Sequence, residues 1–546
     1  MAGTVSLEPL EAEFADVDAH QHSDDGVDGE YPGGIGSDSA KPLPHVILPS
    51  GKVTISQCAA EIFNLVAPTR SMFIRGGVVT IIDRNDRGGY VLQVLRPSAA
   101  RSRFEKHGRL FAWRVGYKGK EVLQPTICPE ETARAIIESQ EARDLLPKIS
   151  GLINCPFLKA AHGKLSVSGV GYDEDTGVLV TGGKKPPDVP FNEAIVALAK
   201  LVSEFDFQCP GDRSRAIAGF ITPALKTGGL IQGKVPADVA EADQSQSGKT
   251  YRQKLVAAVY NESVSIVSQK IGGVGSVDES LSARLVEGRP FIQFDNFRGR
   301  VDSGHLEAFL TAEGSFPARV PYRGEVQIDP DRFFIFLSSN GVETTRDMAN
   351  RSSIIRIRKR QRFTYSDFPE GDLLSHIRVK QPYYLACVFA VIQEWYYRGQ
   401  PRSRELRHDF RDWCQTLDWI VQNLFKAAPL MEGHRGAQER VSNPGLTFVR
   451  KLCLATEADH SLGIPLTASQ LYEIAENAEI EVPGLRVADE DKARKIIGRI
   501  MAKVFSDGDT VELDGFRVVR EESIRDREDT AAGGSYRVKS YVFTKL

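Results

Sequence analysis

The sequence predicts an α/β fold: a parallel sheet flanked by helices, preceded by an α+β accessory segment and followed by helices and a small helix-and-strand domain. Three observations predict it. A strand-like stretch, Val235–Ala242, runs into Gln246-Ser247-Gly248-Lys249-Thr250, and Tyr251–Tyr260 then reads as a helix with Leu255, Ala258 and Val259 on one side. Two short apolar runs, Phe291–Phe294 and Phe333–Leu337, suit buried parallel strands. Both runs end in polar residues, where open α/β sheets bind their ligands.

The chain opens on an acidic leader. Residues 1–45 carry ten acids against one lysine and few large apolar side chains, the composition of a disordered segment. From 46 to 180 the pattern is mixed. Val78–Ile82 and Tyr90–Leu95 read as a hairpin joined through Asp83–Gly89, and Pro129–Ser139 suggests a helix, so an α+β accessory domain is expected. The Asp83/Asp86 pair suits a polar turn better than a metal site, because no second acidic cluster supports it.

The chemistry begins at Ser247-Gly248-Lys249-Thr250. Backbone N–H groups of a glycine-containing loop wrap phosphates, a lysine neutralises the outer ones, and a Ser/Thr hydroxyl holds Mg²⁺. The helix that follows favours the anion at its N-terminus. The first glycine of the usual pattern is replaced by Asp243. Asp295 lies 46 residues after Lys249, about one strand–helix pair further on, and ends its run where a carboxylate reaches the water shell of Mg²⁺. Ser276-Val277-Asp278-Glu279 ahead of it is a helix start. Ser338-Ser339-Asn340 ends the next run, where an amide can position an attacking water. Arg346 through Arg351 precede the strand-like Ile354–Ile357. An arginine that reaches a phosphate stabilises transition-state charge, although Arg346 fits ordinary surface charge equally well.

Five segments together resemble the AAA+ ATPase core over roughly residues 190–365. They are Gly248-Lys249-Thr250, Phe294-Asp295-Asn296, Gly304–Ala312, Ser339-Asn340, and Asp347-Met348-Ala349-Asn350-Arg351 followed by Ile355-Arg356-Ile357. More narrowly, they resemble the helicase-type ATPases of superfamily 3 and relatives in phages, plasmids and integrated mobile elements. The resemblance implies ATP and Mg²⁺, with Lys249 in Walker A, Asp295 in Walker B, Asn340 as sensor 1 and a late arginine, Arg351 or Arg346, acting across a subunit interface. It also implies a homo-oligomeric ring, usually a hexamer. Asn296 stands where many such enzymes carry the glutamate that activates water, so the base is unassigned. The family places a β-hairpin in its channel, and Phe316–Val326 occupies that position. There Arg319 and Arg323 would meet phosphates, and Phe316 or Tyr322 would stack on a base.

Beyond the core, Tyr383–Arg398 and His408–Phe425 carry apolar stripes at helical spacing, which predicts a helical lid over 366–435. Ala428–Gly445 reads as a linker. The segment 446–546 predicts a winged-helix-like domain. Thr467-Ala468-Ser469-Gln470 starts one helix, a second pairs an apolar face with Lys492, Lys495, Arg499 and Lys503, and two strands follow at 515–520 and 536–544. Lys492 and Arg499 are the candidate DNA contacts, against the plainer reading of a solvated face.

Composition bounds the function. The 546 residues suffice for three or four domains, and 41% hydrophobic content is ordinary for a globular protein. Seven cysteines without a C-x-x-C pair and without a signal peptide indicate a reducing cytoplasm. No apolar run reaches the ~18 residues of a membrane span. The net charge of −3 is −9 on residues 1–45 and +6 on the rest, so nucleic acid must be met by local patches. The leading expectation is an ATP-dependent DNA translocase or helicase acting on single- and double-stranded DNA. The alternatives are an initiator or loader without processive unwinding, a nucleotide-bound switch with weak hydrolysis, and a DNA-binding regulator.

Overall fold

The computed structural model describes residues 43–546 apart from 87, 162, 243–246, 271–274, 298–299, 302, 321–323, 361–365, 486–488, 507 and 527–534. The chain divides into two compact units. The first holds residues up to 186 together with 272–290 and 312–333, and the second holds 187–271, 291–311 and 334–546. Residues 1–42 of the acidic leader lie outside the described residues.

In the first unit, strands Met72–Arg75, Val78–Arg84 and Tyr90–Val94 form an antiparallel sheet, which includes the hairpin expected from the sequence. Helix Ile55–Val66 starts on a capping box made by Thr54 and Gln57 and buries Ile62, Phe63 and Val66. Helix Glu130–Ile137 joins the same core through Ala133 and Ile136. The sequence reading takes 190–365 as one continuous body, yet two of its segments join this first unit. Helix Val277–Glu287 packs on the strand Tyr90–Val94 and on the hairpin Phe316–Val320/Gly324–Ile328. Buried Arg75 fixes it by donating to the carbonyls of Val286 at 2.6 Å and Leu285 at 3.0 Å. The chain therefore leaves the second unit twice and returns.

The second unit is built on a six-stranded sheet. In chain order its strands are β1 (Asp206–Phe207), β2 (Ala237–Ala242), β3 (Ser265–Ile266), β4 (Phe291–Phe294), β5 (Phe334–Ser339) and β6 (Ser352–Arg358). Their spatial order is β1-β6-β2-β5-β4-β3, parallel throughout except for β1. Parallel strands buried on both faces read as continuous apolar runs, and every residue of β4 and β5 is buried. The helices are α1 (Phe191–Lys200), α2 (Pro210–Thr227), α3 (Lys249–Val259), α4 (Gly304–Thr311), α5 (Arg346–Asn350), α6 (Leu373–Val379), α7 (Gln381–Tyr397), α8 (Arg411–Asn423), α9 (His434–Val441), α10 (Pro444–Ala458), α11 (Ala468–Asn477) and α12 (Glu490–Val504). Helix α7 packs on α1 and α2, α8 on α2, and α6 on α3.

The expected linker at 428–445 is instead structured. It contains α9, which packs on α5, β6 and α10. The apolar signal is sparse there because polar side chains are what is buried. The His434 ring is fully enclosed, with Nε2 accepting the Ile354 N–H at 3.1 Å, and Arg440 is 1% exposed. Beyond it, α10, α11 and α12 pack with a four-stranded antiparallel sheet of β7 (Pro465–Thr467), β8 (Thr510–Leu513), β9 (Phe516–Asp526) and β10 (Ser535–Lys545), ordered β7-β10-β9-β8. Thr467 and Gln470 form the expected capping box of α11. Among the described residues no helix is long and apolar enough to cross a membrane.

Two buried histidines make fold stability depend on pH. Burial pulls His408 down to about 4 and His434 well below the ordinary histidine value. Both are therefore neutral in the fold, and their contribution is full above pH 6.5 and lost as pH falls toward 4. The unfolding free energy should drop by about 3 kcal/mol over that interval from His408 alone, at ~1.4 kcal/mol per pKa unit. Denaturant titrations at pH 7.5, 5.5 and 4.5 measure this, and a flat profile would contradict neutral burial.

Candidate nucleotide site

The site lies at the carboxyl ends of β2, β5 and β4. Gly248 caps α3 in the left-handed conformation, φ +91°, which glycine adopts without steric cost. Lys249 is the first residue of that helix and is buried, with Nζ donating to Asn340 Oδ1 at 2.6 Å. Burial lowers its pKa, opposed by the negative charge of Asp295.

Thr250 reaches across to β4. Its Oγ1 lies 2.7 Å from Asp295 Oδ1 and 3.0 Å from Ser338 Oγ. Ser338 donates to the same carboxylate oxygen at 2.9 Å and accepts the Asn296 N–H at 2.8 Å. Register places these groups together: Ala240 of β2 pairs with Ser338 of β5, and Phe294 of β4 with Leu337. Lys249, Thr250, Asp295 and Asn340, drawn from three strand ends, thus come together at one sheet edge in two bonded sets, Lys249 with Asn340 and Thr250 with Asp295 and Ser338.

The residues fit a phosphate and a hard cation. Ser247 is buried, yet its Oγ has no hydrogen-bond partner. A phosphate oxygen beside it would satisfy that orphan donor. Thr250 and Asp295 supply the oxygen ligands that Mg²⁺ takes from protein when phosphates and water complete its shell. A cavity of about 800 Å³ adjoins the edge at Asn296 and Asn340 and is lined further by Ser339, Glu343, Lys451 and the 479–485 segment; Ser247, Lys249, Thr250 and Asp295 do not line it. Asp243 and Gln246 lie outside the described residues.

Asn296 is exposed and left-handed, φ +48°, and carries no group able to take a proton from water at neutral pH. Gln269 Nε2 donates to the carbonyls of Asp295 and, at 3.3 Å, Asn296, holding this bend. The two late arginines stand apart from the cluster. Arg351 is half-buried, donates to the Glu307 carbonyl at 3.3 Å and lies 3.7 Å from Asp347. Arg346 is exposed at the start of α5 and lines a cavity of about 260 Å³ with Asn350, Arg407, Arg435 and Gln438.

The expected DNA contacts are dispersed. Arg319 is exposed on the hairpin of the first unit, opposite Glu325 in register. Arg323 and Tyr322 lie outside the described residues. Phe316 is buried, so base stacking by this ring is ruled out; the alternation of the strand Phe316–Val320 turns Phe316 and Ala318 inward and Arg319 outward. Lys492 and Arg499 are exposed on α12, where Lys492 Nζ pairs with Asp489 at 2.9 Å. Sequence reasoning missed Ser338 as a site residue, although a hydroxyl ending an apolar run was a readable signal.

No protein-family description and no curated protein matches the sequence. Among solved structures, the chain is similar to one of "SCCmec type IV Cch - active helicase", at 12% identity over 86% of this chain and 91% of that one, with a TM-score of 0.30. A superposition that loose carries no argument, and the site's own geometry bears the functional reading.

Ser338→Ala should leave Asp295 with a single hydroxyl partner. The Mg²⁺ concentration for half-maximal nucleotide binding should rise about fivefold, the size expected for one lost charge-assisted hydrogen bond. A Mg²⁺ titration with a fluorescent ATP analogue measures it, with chelator as the zero point. An unchanged midpoint would remove Ser338 from the site.

Proposed function

We propose that the protein is an ATP-dependent DNA translocase or helicase of AAA+ type that works as a homo-oligomeric ring. The carrying observation is the meeting of two bonded sets, Lys249 with Asn340 and Thr250 with Asp295, at one sheet edge. The strand order supports the same class. The phosphate-loop strand β2 lies between β6 and β5, so the Asn340 strand separates it from the Asp295 strand. Lys249 and the loop amides would neutralise the outer phosphates, and Thr250 and Asp295 would hold Mg²⁺, which supplies further charge neutralisation. Asn340 would orient the terminal phosphate and its attacking water. Arg351 or Arg346 would complete a neighbour's site, Arg319 would track a strand, and α12 would meet duplex DNA through Lys492 and Arg499. On this reading 366–435 is a lid, 446–546 a winged-helix-like DNA-binding domain, and the location cytoplasmic.

One observation favours a second reading. Asn296 supplies no carboxylate, which suits a nucleotide-bound switch with slow turnover. ATP hydrolysis measured with and without single-stranded DNA separates the two. A motor shows DNA-stimulated turnover and strand displacement, and the switch shows tight binding with negligible turnover.

Lys249→Ala should abolish hydrolysis and weaken ATP binding, because the terminal phosphate loses its main positive partner. Asp295→Ala should keep part of the binding and lose Mg²⁺-dependent turnover. Unchanged turnover in either variant would overturn the site. For the ring, mixing Arg351→Ala with Lys249→Ala protein should restore some activity, since an intact loop can then meet an intact arginine. The same mixture with Arg346→Ala shows which arginine acts in trans. A monomer hydrolysing at full rate at every concentration would exclude the shared site.

A further inference from the structure

The second unit buries an ion network that the nucleotide site does not use directly. Asp514 sits with Gly515 in the two-residue turn between β8 and β9, at φ +48°. An Asp-Gly pair is a favoured sequence for such a turn. Its carboxylate enters a nest of three arginines from three other elements. Arg450 of α10 donates to Oδ2 at 2.5 Å, Arg356 of β6 donates to Oδ1, and Arg440 Nε of α9 lies 3.0 Å from Oδ2 as an ion pair not aligned for hydrogen bonding. All four side chains are less than a tenth exposed. The three guanidiniums outweigh the cost of burial and hold the Asp514 carboxyl down to about 2, so it stays charged at neutral pH.

Arg440 carries the network onward. Its Nη1 donates to Glu241 Oε1 at 2.8 Å and its Nη2 to Glu241 Oε2. Glu241 is wholly buried in β2, the strand that leads into the phosphate loop. The same Oε1 accepts the Val342 N–H at 3.1 Å. Val342 lies two residues after Asn340, on the bend whose Gly341 is left-handed. One unbroken path therefore runs from the turn of the C-terminal sheet to the backbone beside the amide that holds Lys249.

We propose that Asp514 is a positioning residue for nucleotide hydrolysis, acting through Arg440 and Glu241 on the bend that carries Asn340. Arg440 is held on two sides, its Nη edge hydrogen-bonded to Glu241 and its Nε end in ion-pair contact with Asp514. Without Asp514 the guanidinium is held on one side only, and three buried cations lose their shared counter-ion. Glu241 then loses the fixed orientation that presents Oε1 to Val342. The seating of the C-terminal domain thereby sets the geometry of the phosphate-sensing amide, and a ligand that shifts this domain shifts the hydrolysis rate. This rests on the ATPase reading above.

The experiment uses the full chain and four variants: Glu241→Gln, Asp514→Asn, their double, and Arg450→Met. Arg450 touches Asp514 but not Glu241, so Arg450→Met loosens the docking while leaving the path to Val342 in place. Steady-state hydrolysis, the dissociation constant of a fluorescent ATP analogue and amide exchange at Val342 are measured for each. Glu241→Gln and Asp514→Asn should each lower kcat about five- to tenfold with nucleotide affinity within about twofold, and the double should fall no further than the worse single. Arg450→Met should keep kcat within about twofold even where its melting temperature falls. Val342 exchange should quicken in the first three variants and hold in the fourth. Full kcat in Asp514→Asn, additive losses in the double, or an equal loss in Arg450→Met would overturn the relay. Should Asp514→Asn fail to fold, Asp514→Glu keeps the charge and displaces it, and should give a smaller loss of the same kind; an unchanged kcat there overturns the proposal. Wild-type protein that neither binds nor hydrolyses ATP overturns the functional reading instead, and Val342 exchange then decides the relay by itself.

Discussion

Gln253 holds three adjacent strands at once, and the candidate site depends on that contact. It lies one turn into α3 and is fully buried. Its Nε2 donates to the Asp238 carbonyl of β2 at 2.9 Å and to the Leu337 carbonyl of β5 at 3.1 Å, and its Oε1 accepts from Gln293 of β4 at 2.9 Å. These are the strands whose ends lead to Lys249, Asn340 and Asp295. Arg252 beside it is also fully buried and pairs with Asp238. An apolar side chain at 253 would fill the same space but would leave buried carbonyl and amide groups unpaired, at about 1–3 kcal/mol each. It would also let the helix slide, because apolar contact is not directional. The polar contact therefore fixes the height and rotation of α3, and with them Lys249 and Thr250.

A second set of buried charges does for the helices around the sheet what Gln253 does for α3. Asp212 bonds Arg215 at 2.6 Å and Arg356 Nε at 3.2 Å, while Arg215 also donates to the carbonyls of Ile354 and Leu430. Taking such ions out of water costs more than an apolar core would, and the return is directional bonding. Here the directions join α2, β6 and the 428–434 stretch, segments far apart in sequence. Asp212 is the shared member: it pairs with both Arg215 and Arg356, so its removal would leave Arg215 without an acidic partner among the described residues.

These two sets of contacts explain what was legible in the sequence. The strands ending in Asp295 and Asn340 were readable because parallel strands are apolar throughout and their ends change character abruptly. The hairpin at 78–94, the capping box at Thr467, and the helical stripe of α8 follow local rules that need no tertiary context. The helix at 434–441 did not, since its buried face is His434, Ala437, Arg440 and Val441, a pattern that scores as polar. Phe316 was misread because a hairpin has an inner face, and an aromatic ring near two arginines looked like part of the outer one. The transfer of 277–287 and 316–328 to the first unit was invisible because both have ordinary local patterns, and only long-range partners such as Arg75 decide where they go. Asp514 carried no signal in the sequence, since its three arginines lie 64 to 158 residues away.

The same physics would leave the candidate site open to a ligand. Lys249 and Asp295 lie at one edge, yet each is held by a neutral partner, Asn340 for the lysine and two hydroxyls for the carboxylate. A direct pair between them would be strong in this partly buried setting, and a phosphate or a cation would first have to break it. Neutral partners hold the same geometry at lower cost of exchange. On the proposed reading, a phosphate drawn to Lys249 would take the place of the Asn340 oxygen and a cation drawn to Asp295 the place of hydroxyl protons, so both displacements would run toward stronger charge-assisted contacts. The displaced Asn340 amide would then be free beside the incoming phosphate. Its position is set by the bend at Gly341 and Val342, which Glu241 pins from the phosphate-loop strand itself. The strand that leads to Lys249 thus also fixes the bend that carries Asn340.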